Sequence, residues 1–132
     1  MKTFEVKSPV GNDEDLLLEL EFQGVASYWV YLCDPIVNTE NWKPRKPALE
    51  TNGNSEDSRL DSFEFKRPKA GEKVMLLIRA SMTSLDPKGK IEMTGKVSSV
   101  TTKHEIGSDS DSAQLQSGGA ITLELRIVLE GK

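Results

Sequence analysis

The sequence predicts an all-β protein: a single antiparallel β-sandwich of about seven to eight strands filling residues 1–132. Three observations carry that expectation. Apolar and polar residues alternate with period two through most apolar segments. Clusters of Gly, Pro, Asn, Asp and Ser punctuate those segments at turn spacing. No segment shows a convincing helical period. A barrel ranks second, because long loops suit a sandwich whose connections change sheet. Immunoglobulin-like, C2-like and jelly-roll topologies all remain open.

The elements follow in order. Residues 2–8 set Phe4 and Val6 against Thr3, Glu5 and Lys7, the pattern of a half-buried strand. Pro9-Val10-Gly11-Asn12-Asp13 breaks it, and Asp13-Glu14-Asp15 belongs to a turn. A strand over 16–23 places Leu16, Leu18, Leu20 and Phe22 on one face. Leu and Glu also favour helices, but the Leu-Glu-Leu-Glu-Phe alternation decides for a strand. After Gly24, Ser27-Tyr28-Trp29-Val30-Tyr31-Leu32-Cys33 is apolar on both faces, which places it near the middle of a sheet. A long connection near 34–58 follows, with Pro35, Pro44 and Pro47 and the tip Thr51-Asn52-Gly53-Asn54-Ser55. Over 60–66, Phe63 and Phe65 share a face, and Leu60 falls out of phase, which suggests a bulge or a late start.

The best-specified stretch runs from Glu72 to Thr102 and is expected to form a hairpin. Val74, Leu76, Ile78, Ala80 and Met82 point one way, with Met75 and Leu77 among residues on the other face. Asp86-Pro87-Lys88-Gly89 suits a type I turn, with Gly89 taking a positive φ. The returning arm alternates over 91–97, with a bulge expected near Ser98-Ser99. The run Lys69-Ala70-Gly71-Glu72-Lys73-Val74-Met75-Leu76 resembles the turn-into-strand passage of immunoglobulin-like sandwiches, over those residues alone. Residues 107–119 are polar and of low complexity, and read as a loop that tolerates deletion between Ser108 and Gln116. The last strand, 120–130, turns Ile121, Leu123, Leu125, Ile127 and Leu129 inward, with Val128 the apolar exception outside.

A chain of 132 residues holds one ordinary core. Its net charge of −4 argues against general binding to nucleic acid. No apolar run has membrane-spanning length, and neither a signal-peptide core nor an Asn-x-Ser/Thr acceptor is present, so a cytoplasmic location is expected.

Chemistry-bearing residues are few. His104 and Cys33 are the only histidine and cysteine, too few for zinc, and no serine sits in a nucleophile elbow. His104 is expected on the surface and Cys33 in the core. Calcium has three acidic clusters to draw on: Asp13, Glu14 and Asp15; Glu56, Asp57 and Asp61; Asp109 and Asp111. None has the spacing of a dedicated calcium loop, and no metal or other cofactor is expected. Two aromatic sites remain. Asn41-Trp42-Lys43-Pro44-Arg45-Lys46-Pro47 sets a ring among Lys43, Arg45 and Lys46, able to stack on a sugar while the cations meet an anion; the plainer expectation is that Trp42 caps the core. Trp29 and Tyr31 share a strand face and are expected to pack inside, with a sugar-stacking platform as the alternative. The function expected is a non-catalytic interaction module binding a protein partner or itself. The alternative is a carbohydrate- or other ligand-binding sandwich using exposed aromatics, with calcium assistance from the acidic loops.

Overall fold

A computed structural model describes residues 3–6, 15–56 and 59–132. The break at 9–13 and the residues Lys7, Asp13, Glu14 and Asp57 therefore lie outside the described residues. The strands are β1 (Thr3–Val6), β2 (Leu16–Gln23), β3 (Val25–Pro35), β4 (Trp42–Pro44), β5 (Glu50–Ser55), β6 (Leu60–Phe65), β7 (Lys73–Thr83), β8 (Lys90–Ser99), β9 (Glu105–Gln114) and β10 (Ile121–Gly131). They form two sheets packed as a β-sandwich, and there is no helix among the described residues. The six-stranded sheet runs β1-β10-β7-β3-β4, with β5 also pairing β3; the four-stranded sheet runs β6-β2-β8-β9. All pairs are antiparallel except β1 with β10, so the larger sheet is mixed.

Among the described residues the strands number ten, above the seven to eight expected. The surplus comes from segments that composition marks as loops. β4 and β5 form within 34–58, because the end and middle of β3 offer an unpaired edge to Trp42–Pro44 and Glu50–Ser55. β9 starts at Glu105 and takes up the first part of 107–119: it pairs β8 from Lys90↔Gln114 to Val97↔Gly107, and Leu115 just beyond it is buried. Ladder hydrogen bonds ask nothing of the side chains, so a Ser/Asp strand is stable once a neighbour presents its edge. Tolerance to deletion over Ser108–Gln116 does not survive this pairing.

The stretch from Glu72 to Thr102 is likewise not a hairpin. β7 pairs with β3 and β10, whereas β8 pairs with β2 and β9 in the opposite sheet. The turn chemistry is as read: the Gly89 amide donates to the Asp86 carbonyl at 2.9 Å and the Lys88 amide to the Asp86 carboxylate at 3.0 Å. Gly89 itself stays outside the positive-φ region. With the arms in opposite sheets, Leu76, Ile78 and Met82 and Ile91, Met93 and Val97 enter one core cluster from its two sides. Side by side in one sheet, both series would lie on the same face and need cover from elsewhere. The ladder between β8 and β9 does shift at Val97/Ser98, where a bulge is expected. Leu60 is out of phase and exposed, but β6 pairs β2 in continuous register, without a bulge.

One apolar cluster fills the space between the sheets, with Leu16, Leu18, Leu20 and Phe22 facing Tyr28, Val30, Ile78, Leu125 and Ile127. Each such side chain contributes roughly 1.5–3 kcal/mol. The sandwich has two unlike poles. At one, β2→β3, β7→β8 and β9→β10 all change sheet, and their turns are tied together: the Thr83 hydroxyl donates to the Gly119 carbonyl at 2.6 Å, the Leu115 amide to Gly89 at 3.0 Å and the Gly118 amide to Pro87 at 2.8 Å. Gly24, the whole β2→β3 link, has φ +113°, and a Cβ there would lie 2.7 Å from the Thr83 carbonyl oxygen. The other pole carries the 36–41 and 66–72 connections and the Val100–His104 turn.

Gly24→Ala is expected to cost roughly 2–4 kcal/mol, combining left-handed backbone strain with a clash against a carbonyl that cannot yield. Gly119→Ala, with φ +81° and nothing within 4 Å of the added carbon, should cost only about 1 kcal/mol. Urea unfolding of both variants checks the difference; equal midpoints would contradict the tight crossing.

Candidate functional site

Apolar residues on the outer face of β3, β7 and β10 build the candidate site. In register, Cys33 lies beside Met75 and Met75 beside Val128; the next row is Tyr31, Leu77 and Arg126; the next is Trp29, Arg79 and Glu124. Cys33, Met75 and Val128 are buried, although they point away from the sandwich interior. Tyr31, Leu77 and Trp42 lie over them and are themselves half-buried. Burial raises the Cys33 thiol pKa, with the Asp34 carboxylate adding to the effect.

The expectations for the aromatic residues are corrected here. Trp29 does not pack in the core: it is 36% exposed. The ring stands two residues before Tyr31 on the solvent face. Tyr31 packs, but on this outer cluster. Trp42 folds back, yet not over the core; β4 pairs it with Pro35 and lays it on the same outer face. The structure thus gathers Tyr31 and Trp42 in one cluster, with Trp29 on its border. Leu77, Met75, Cys33 and Val128 complete it. Their signal in the sequence was the apolar residues on the second face of three otherwise alternating strands.

Ion pairs frame the cluster. Glu124 accepts from Arg79 at 2.8 Å and from Arg126 at 2.9 Å, and both hold its carboxyl below the ordinary glutamate value, Arg79 most strongly. Lys73 meets Glu130 at 3.7 Å. On the β4 side, Arg45 grips Asp34 with two parallel bonds of 2.9 and 2.7 Å, and reaches Glu72 at 3.8 Å. Lys43 and Lys46 flank Arg45 and are exposed, with no carboxylate partner among the described residues.

Cys33 and His104 are not brought together: one lies in the outer cluster, the other in the turn between β8 and β9. Asp61 on β6 and Asp109 and Asp111 on β9 occupy opposite edges of the four-stranded sheet. Among the described residues no group of three or more His, Cys, Asp or Glu side chains is placed to hold a metal ion. No family model, curated protein or solved structure matches the chain.

The Arg45 fork lowers the Asp34 pKa in the folded state. Its contribution is therefore present above the unfolded carboxylate value of about 4 and is lost as pH falls through the lower folded value. Because the Asp34 side chain is 45% exposed, solvent screening limits the effect to about 1 kcal/mol or less. Asp34→Asn should be modestly less stable than wild type at neutral pH, and the gap should close in strong acid. Urea midpoints at the two pH values measure it; a gap that widens in acid would contradict the pairing.

Proposed function

We propose that this protein is a non-catalytic interaction module whose six-stranded sheet takes a protein partner on its outer face. The observation that carries the reading is the apolar strip of Trp29, Tyr31, Leu77 and Trp42, which no strand among the described residues covers and which ion pairs rim. Protein interfaces have that anatomy: an apolar centre rich in Trp, Tyr and Met, with Arg close by and a polar rim. The rim charges already compensate one another, so a partner need not desolvate unpaired charge to reach the centre. Residue type, exposure and rim support the reading; none calls for bond-making chemistry.

A photoreactive amino acid at position 29 tests the reading, with the same group at Leu85, which is 97% exposed on the β7–β8 connection, as the control. Position 29 should yield discrete protein adducts, including any homodimer, that position 85 does not. Tyr31→Ala combined with Leu77→Ser should suppress them. Equal, diffuse labelling at both positions would sink the proposal, as would glycan-array binding lost on Trp29→Ala. Trp29→Ala itself should change stability by about 1 kcal/mol at most, since the ring is substantially exposed.

A further inference from the structure

The pole opposite Gly24 joins two basic, proline-stiffened segments that lie far apart in the sequence. Lys43-Pro44-Arg45-Lys46-Pro47 leaves β4, and Lys66-Arg67-Pro68-Lys69 links β6 to β7. Three depressions run between them and onward. The first, about 520 Å³, is lined by Asp34, Lys43, Pro44, Arg45 and Lys46. The second, about 410 Å³, shares Arg45 and adds Lys66, Arg67, Lys69 and Glu72. The third, about 510 Å³, shares Arg67 and runs to Ser99, His104 and Glu105. Arg45 borders the first two and Arg67 the last two, so the three lie in a row as one interrupted groove, cationic along the first two and flanked by Glu5 and Glu105 at the third.

The groove is built before any ligand arrives. Asp34 fixes the Arg45 guanidinium from one side, and the Arg45 amide donates to the Leu32 carbonyl at 2.7 Å. The 66–72 segment is clamped to the end of β10: Gly71 donates to Gly131 at 2.9 Å, and Gly131 to Glu72 at 2.9 Å. The segment crosses so closely that a Cβ on Gly131 would lie 2.0 Å from the Lys69 carbonyl oxygen. Among the described residues Lys43, Lys46 and Lys69 have no carboxylate partner, while Lys66 meets only Asp15, at 3.7 Å. In a chain of net charge −4, such a local excess of cations creates a potential for negative charge that the net value conceals.

We propose that this groove binds an extended acidic peptide segment of a partner protein, with consecutive Asp, Glu or phosphorylated side chains seated against Lys43, Arg45, Lys46, Lys66, Arg67 and Lys69. A linear groove joined by two arginines suits a chain, and an extended peptide advances about 3.3 Å per residue, which lets successive carboxylates meet cations on either wall. A nucleic acid fits less well. Beyond the groove lies the four-stranded sheet, whose outer face carries Glu19, Glu21 and Glu64 in adjacent register, with only Glu19 of the three met by Lys96, at 3.8 Å. The groove is separate from the aromatic face, although β4 lends Trp42 to one and Lys43 to the other.

Fluorescence anisotropy of a labelled hexaglutamate peptide at low salt is the test, with hexaglutamine as control. Hexaglutamate should bind and hexaglutamine should not, and added salt should weaken binding steeply. Lys46→Glu with Lys69→Glu should weaken it by about tenfold or more, at an unchanged urea midpoint, whereas Trp29→Ala should leave it within about twofold. The last comparison separates failure of this groove from failure of the aromatic face. Equal binding of the two peptides would overturn the proposal. So would tighter binding of an oligothymidylate at matched salt, which would make the groove a nucleic-acid surface. Ile36 and Val37 are exposed at the same pole, 41% and 82%, so phosphatidylserine vesicles are a further arm. Vesicle binding that survives saturating hexaglutamate and is lost on Val37→Asp would assign the pole to a lipid surface instead.

Discussion

The structure hangs on β7, a strand apolar on both faces. Val74, Leu76, Ile78, Ala80 and Met82 are buried against the opposite sheet, and Met75 is buried on the other side. Such a strand is stable only with a neighbour on each edge and cover on each face. β3 and β10 supply the neighbours along nearly its whole length. The four-stranded sheet supplies one cover, and Tyr31, Leu77 and Trp42 the other. The outer aromatic cluster is therefore a consequence of the same burial that forms the core. It is incomplete as cover, and that leaves Trp29 at its border in contact with solvent.

The smaller sheet ends in β6 on one side and in β9, which lies against β10, on the other. Each edge strand carries a carboxylate between the layers. On β6, Asp61 accepts from the Tyr28 hydroxyl at 2.6 Å and pairs with Arg59 at 3.2 Å; burial, reinforced by that carboxylate, pushes the Tyr28 pKa well above the ordinary tyrosine value. On β9, Asp111 accepts from the Glu124 backbone amide at 3.2 Å. That amide lies on the part of β10 that β1 does not reach, because β1 pairs only Val128–Gly131. Inward charge discourages edge-to-edge association, and here it also satisfies groups of the opposite sheet. The Ser/Asp composition of β9 is thus a property of an edge and not of a loop.

The unlike poles follow from these connections. The β2→β3, β7→β8 and β9→β10 crossings and their mutual hydrogen bonds occupy one pole, and the other carries Lys43, Lys46 and Lys69, which have no carboxylate partner among the described residues. Arg45 stands where the two proposed surfaces adjoin. Asp34 orients it, Glu72 steadies it, and β4 carries Trp42 to the aromatic side and Lys43 to the groove, with Lys46 just beyond the strand. A single partner contacting both surfaces would use an apolar anchor and an acidic segment together.

Alternation alone determined the all-β class, the inward series of β2, β7, β8 and β10, the out-of-phase Leu60 and the shift near Ser98, because side-chain direction in a strand is fixed by parity. The same signal marked Met75, Leu77 and Val128 as apolar on a second face. Parity says nothing about which strand lies alongside. That choice belongs to long-range burial, and it put β7 and β8 in opposite sheets where local turn chemistry suggested a hairpin. Segments without apolar contrast, Glu50–Ser55 and Glu105–Gln114, became strands only because a neighbouring edge offered backbone hydrogen bonds. The position of Trp29 outside the core, the meeting of Tyr31 with Trp42, and the convergence of Arg45 with Lys66, Arg67 and Lys69 were likewise set by strand order. Each joins residues distant in the chain, and no local pattern encodes a contact whose partner is chosen by the packing of the whole.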